Sequence, residues 1–131
     1  MTSNKLRILV VDDEPILAMT TVDMLTELGF EAVEAYSGLE GLSIIESEPT
    51  FDLIITDHRM PEMSGPEFAA HVRAKVPNMP ILIVSGYAAA PTNDIAALPL
   101  LSKPFSLAEL EAEIKKLTTM ECKSEMRPQG N

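Results

Sequence analysis

Short apolar runs that end in polar or charged residues constrain this chain more than any other feature. Residues 6–11 form such a run, broken only by Arg7, and it leads into Asp12, Asp13 and Glu14. Residues 53–55 lead through Thr56 to Asp57, 80–84 lead to Ser85-Gly86-Tyr87, and 98–102 lead to Lys103-Pro104-Phe105. Continuous apolar runs of this length characterise strands covered on both faces, as in parallel sheets. Residues 30–36 partly alternate apolar and acidic side chains, which predicts a half-exposed edge strand.

Helical patterns separate the strands. Pro15 suits a first helical turn; Ile16, Met19, Val22, Leu25 and Leu28 predict the buried stripe of that helix, and Gly29 its end. Ser37-Gly38-Leu39-Glu40 has capping-box spacing, with Leu39, Leu42 and Ile45 expected inward. Ser64 to Glu67 repeats the spacing and opens a helix to about Val76, with Phe68 and Val72 as core contacts. Residues 88–95, interrupted by Pro91, predict only a short, mobile helix. Ser106 to Glu109 is a third capping box, followed by Leu107, Leu110, Ile114 and Leu117 on one face. Five strands alternating with five helices predict an α/β fold, a parallel sheet with helices on both faces. The domain is expected to span 1–118, with 119–131 a disordered tail, because the hydrophobic pattern lapses there.

Composition removes several function classes. A chain of 131 residues suits one domain, and a net charge of -10 opposes a surface that neutralises nucleic-acid phosphates. No apolar run approaches the roughly 20 residues of a membrane helix, and residues 1–5 lack a signal-peptide core, so a cytoplasmic location is expected. Cys122, the one cysteine, has no partner for a disulfide within the chain and is not expected to act in redox chemistry.

In open parallel sheets ligands lie beyond the carboxyl ends of the strands. If the strands ending at Asp12 and Asp57 are neighbours, Asp12, Asp13 and Asp57 converge, and their mutual repulsion calls for a cation. Magnesium suits such a donor set, since it takes hard oxygen ligands and is held by one or two carboxylates plus phosphate oxygens. Ser85 and Lys103 end strands on the same rim, where a hydroxyl and an ammonium can hold the oxygens of a phosphoryl group on Asp57. Simpler roles stand beside these: Asp12 and Asp13 as helix caps, Ser85 as a turn residue, Lys103 as a solvated charge, Glu14 as a first-turn residue. His58 adjoins Asp57, but neighbours on an extended chain point apart, so it is not assigned to the site. His71 is read as a surface residue.

Asp12-Asp13, Asp57 with Met60-Pro61 and Gly65, Ser85, and Lys103-Pro104-Phe105 together resemble the receiver domain of two-component response regulators, over residues 6 to about 118. The resemblance implies the strand order 2-1-3-4-5. It implies that Asp57 accepts a phosphoryl group from a histidine on a sensor kinase or histidine phosphotransfer protein. Asp12, Asp13, Asp57 and the backbone carbonyl of Arg59 would ligate Mg2+, while Ser85 and Lys103 bind the phosphoryl oxygens. The phosphorylated surface would address a downstream protein, with a weak homodimer also open, and Pro104 would follow a cis peptide bond. No activity beyond Mg2+-dependent self-phosphorylation and self-dephosphorylation is implied.

Two departures from the pattern matter. Leu101 stands where receivers carry an aromatic switch, which leaves Tyr87 as the substitute. Ser85-Gly86-Tyr87 resembles a group of single-domain receivers with Gly-Tyr after the hydroxyl residue. Arg59 and Tyr87 occupy positions that tune phosphoryl loss, and their bulk predicts a long-lived phosphorylated state.

Two other readings stay open. A receiver cut from a hybrid histidine kinase would have the same motifs. An aspartate-nucleophile phosphatase resembling the haloacid dehalogenases would use similar chemistry, although those enzymes place their two aspartates two residues apart and this chain has adjacent Asp12-Asp13.

Overall fold

The computed structural model describes residues 6–47, 51–85, 99–103 and 105–126. Five strands form one parallel sheet: β1 (Arg7–Val11), β2 (Glu31–Ala35), β3 (Leu53–Asp57), β4 (Ile81–Ser85) and β5 (Leu100–Ser102), in the order β2-β1-β3-β4-β5. The helices among the described residues are α1 (Pro15–Glu27), α2 (Gly38–Ser47), α3 (Gly65–Lys75) and α4 (Leu107–Met126). The short helix expected at 88–95 lies outside the described residues, as do Tyr87 and Pro104.

Successive side chains on a strand face opposite sides of the sheet, so each central strand feeds two cores. Ile8, Val10, Leu53, Ile55, Leu82 and Val84 pack with Leu25 of α1 and with Leu110 and Ile114 of α4. Leu9, Val11, Ile54, Ile81 and Ile83 pack on the other face with Ile45 of α2 and with Phe68, Ala69 and Val72 of α3. The sheet is therefore covered on both faces, which explains why β1, β3 and β4 are apolar without alternation. β2 and β5 are the edges, and their more exposed residues reflect it.

Two of the three expected capping boxes form in full. The Ser64 hydroxyl accepts from Glu67 N at 3.2 Å while the Glu67 carboxylate accepts from Ser64 N at 3.0 Å, and Ser106 and Glu109 make the same exchange at 3.1 and 2.9 Å. At α2 the Ser37 hydroxyl accepts from Glu40 N, but the Glu40 carboxylate reaches one residue further back, to Tyr36 N.

Two expected stripes are wrong in part. Ile16 and Met19 of α1 are 76% and 51% exposed; Ala18 and Leu25 are the buried positions. Leu39 of α2 is 59% exposed, while Gly38, Gly41 and Ile45 are buried. In both helices the small residue marks the packed side, because only there can the helix axis approach its neighbours closely. At Gly41 an added Cβ would lie 2.9 Å from the Phe68 ring and 3.1 Å from Val11. The tail expectation also needs correction: α4 continues to Met126 rather than lapsing at 118, since residues 119–126 contain neither glycine nor proline and are mostly tolerant of helix.

Leu25→Ala should lower the unfolding free energy in urea by about 2–5 kcal/mol, through lost transfer energy and a residual cavity. Ile16→Ala, nearer the start of α1 on its exposed side, should change it by no more than about 0.5 kcal/mol.

Candidate functional site

β1 and β3 are adjacent and in register, Val10 opposite Ile55 and Val11 opposite Thr56. One residue further, Asp12 and Asp57 come level at the carboxyl ends of the two strands. Both lie an even number of residues from Val10 and Ile55, so both emerge on the α1/α4 face. Lys103 stands in the same relation to Leu101, which packs into the core on that face. Sheet periodicity thus selects these three side chains from among their neighbours.

Carboxylate oxygens of Asp12, Asp13 and Asp57 lie within 4.8 Å of one another. The Lys103 ammonium donates to Asp57 Oδ1 at 3.0 Å and to Asp12 Oδ2 at 3.4 Å. The other Asp12 oxygen accepts from Glu14 N at 3.0 Å, so this carboxylate also organises the turn into α1. Glu14 holds the N-cap position without a side-chain cap bond, in keeping with its reading as a helix-start residue. Asp12 is almost wholly buried, whereas Asp13 and Asp57 are half-buried and open to the rim.

Burial pushes the Asp57 carboxyl upward; the Lys103 hydrogen bond and charge oppose this, Asp12 and Asp13 add to it, and the net direction is up. For Lys103, burial acts to lower the ammonium's pKa, but hydrogen bonding and attraction to Asp57, then Asp12, outweigh it and leave it raised. Three carboxylates against one ammonium leave excess negative charge among hard oxygen donors. Such a donor set fits a divalent cation of the magnesium or calcium type.

The surrounding cleft, about 570 Å³, is lined by Glu14, Leu17, Arg59, Met60 and Pro61 along with the three aspartates and Lys103. Leu17 was not singled out from the sequence, although it lies one helical turn after Asp13, and that spacing was the signal that could have found it. Ser85 is buried at the end of β4, one residue past Val84, the register partner of Asp57. Its carbonyl accepts from Lys103 N at 2.7 Å, so β4 fixes the main chain from which the Lys103 side chain departs. The Arg59 side chain is exposed at the mouth of the cleft. Leu101 is half-buried and packed against the α1/α4-side core. His58 stands outside the carboxylate group, with its Nδ1 buried and lacking a hydrogen-bond partner.

Gly65 keeps the loop after β3 closed over the site. Its N–H donates to the His58 carbonyl at 3.0 Å, and a Cβ there would overlap the Asp57 carbonyl oxygen.

A doubly wound α/β domain with carboxylates converging at its topological switch point defines a class of protein that binds its ligand at that rim. The family model for the response regulator receiver domain matches residues 8–115, and the chain belongs to that family. Sensor kinase CckA of Brucella abortus is 35% identical over 120 residues, which are 88% of this chain and 13% of CckA. The response regulator receiver protein CpdR of the same organism is 33% identical over 115 residues, covering 85% of this chain and 95% of CpdR. Among solved structures, the response regulator protein TrrA from Thermotoga maritima, in complex with Mg2+-BeF, is 35% identical, with a TM-score of 0.79 over 86% of this chain and 98% of TrrA. The chain thus spans a small part of one such relative and nearly all of another. Among the described residues no helix is long and apolar enough to cross a membrane.

Gly65→Ala should destabilise the protein by about 1–3 kcal/mol, as overpacking against rigid backbone does, and a urea melt will show it as a lower midpoint at unchanged slope.

Proposed function

We propose that this chain is a phosphoacceptor in two-component or phosphorelay signalling, taking a phosphoryl group from a phosphohistidine onto Asp57 in the presence of Mg2+. The observation that carries this reading is the convergence of Asp12, Asp13 and Asp57 within 4.8 Å around the Lys103 ammonium. An Asp57 carboxylate oxygen attacks phosphorus; the P–O bond of an acyl phosphate forms as the P–N bond breaks, and the departing imidazole takes up a proton. Lys103 moves from the carboxylates to a phosphoryl oxygen, and the Ser85 hydroxyl donates to another. Asp12 and Asp13, with Asp57 and the Arg59 carbonyl, would hold Mg2+, and the ion would supply charge neutralisation to the transferring group.

The donor is a sensor histidine kinase or a histidine phosphotransfer protein. Next to the cleft α1 exposes Ile16, Leu17 and Met19. A groove of about 190 Å³, lined by Leu17, Thr20, Thr21, Met24, Lys103 and Phe105, continues from it. Apolar surface contiguous with the acceptor supports a protein donor over a small molecule. The phosphorylated domain signals through a protein contact or passes the group on as a shuttle or sink. Leu101 cannot supply an aromatic rotation, so Tyr87 is the residue to which that role passes. A receiver belonging to a hybrid kinase is the second reading, supported by the match of 88% of this chain to a segment of CckA.

Incubation with Mg2+ and acetyl phosphate should add one phosphoryl mass to the intact protein, and Asp57→Ala or removal of Mg2+ should abolish the adduct. If neither acetyl phosphate nor a phosphohistidine donor modifies the protein, the reading fails. Arg59→Ala should speed loss of the phosphoryl group several-fold by opening the mouth of the cleft to water; an unchanged half-life removes Arg59 from that role.

A further inference from the structure

The connection from β3 to α3 carries the residue 59 carbonyl, the one metal donor in this reading that is not a side chain. Its ends are tied by main-chain bonds, His58 N to the Val84 carbonyl at 2.8 Å and Gly65 N to the His58 carbonyl at 3.0 Å. Between them the chain turns tightly, with Met63 N donating to the Pro61 carbonyl at 2.6 Å. Glu62, at the centre of that turn, has φ 68°, in the left-handed region that residues with a Cβ seldom adopt. The bond from Met63 N to the Pro61 carbonyl closes a γ-turn, a rare and strained form whose central residue has φ of about +75°.

The Met63 side chain seats this turn against α2. Its Cβ, Cγ and Sδ run across Gly38, the first residue of α2, at 3.3, 3.2 and 2.6 Å from where a Cβ on that glycine would sit. The thioether therefore occupies the space that any other residue at 38 would fill, and both Met60 and Met63 are packed against the α2/α3-side core. The seat adjoins the carboxylate cluster: Tyr36 and Ser37, just before Gly38, line one cleft together with Asp13, Met60, Pro61 and Glu62. A shift of Met63 would move residues 59–62 relative to Asp13.

We propose that Met63, seated on Gly38, is a positioning residue for the metal site: it fixes the strained turn that carries the residue 59 carbonyl and so sets affinity for Mg2+. The inference rests on the Mg2+ reading of the carboxylate cluster. It concerns a residue that touches neither cation nor phosphoryl group.

The test is titration calorimetry of Mg2+ into the full chain, well below the unfolding temperature, for wild type, Met63→Ala, Met63→Leu and Gly38→Ala. Val72→Ala serves as a variant that loses stability at a core position on α3, outside the turn and the Gly38 seat. The Mg2+ dissociation constant should rise about tenfold in Met63→Ala and in Gly38→Ala, which displaces the thioether from the opposite side. Met63→Leu should stay near wild type because it refills the seat. Val72→Ala should melt earlier yet bind Mg2+ as wild type does. If Met63→Ala and Gly38→Ala, or whichever of them folds, bind like wild type, or if Val72→Ala weakens binding equally, the positioning role is overturned. If wild type itself takes up no Mg2+, the metal reading falls first, and the proposal with it.

Discussion

The Lys103 ammonium, shared between Asp57 and Asp12, is the interaction on which the arrangement of the rim depends. It joins the end of an edge strand to the ends of two central strands, passing over β4. That span closes only if three parallel pairings keep their register, since a slip of one residue turns every side chain on a strand to the opposite face. The apolar runs enforce the register from below. Burial of Ile8, Val10, Leu53 and Ile55 on one face and of Leu9, Val11 and Ile54 on the other leaves no alternative placement that keeps both cores filled. The polar site is therefore the terminal row of a pattern already set by hydrophobic burial.

This dependence explains how much could be read from the sequence. The buried strands were legible because continuous apolar segments with a polar end have few other uses, and the convergence of Asp12 with Asp57 required only that their strands be neighbours. Alternation marked residues 30–36 as an edge strand, but the order of the other four came from the family resemblance, because their similar apolar runs do not say which is central. Two capping boxes, at Ser64 and Ser106, and half of a third at Ser37 were legible in Ser-x-x-Glu spacing, where the chemistry is local to four residues.

The helices were harder because they carry too many apolar residues to define one face. α1 offers Ile16, Leu17, Ala18, Met19, Val22, Met24 and Leu25, and periodicity alone favoured the larger ones. The structure buries Ala18 and leaves Ile16 and Met19 outside, and α2 repeats this with Gly38 and Gly41 inside and Leu39 outside. Close approach of a helix to a sheet or a neighbouring helix requires small residues, a condition set by tertiary geometry that a hydrophobicity count misses. The seat of Met63 on Gly38 has the same origin and was equally invisible, since it joins a loop to a helix 25 positions earlier in the chain.

The shared ammonium also bears on how the site meets its ionic surroundings. Salt weakens exposed pairs, such as Lys115 with Glu111 on α4, more than it weakens partly buried ones. Lys103 is only 20% exposed and sits at contact distance from its carboxylates, tethered by its own chain. It is a counterion that dilution cannot remove and dissolved sodium can displace only by breaking a covalently anchored pairing. The pairing of Lys103 with Asp57 and Asp12 is thus less sensitive to bulk salt than the exposed pairs of α4, and the rim keeps its fixed internal cation as ionic strength varies.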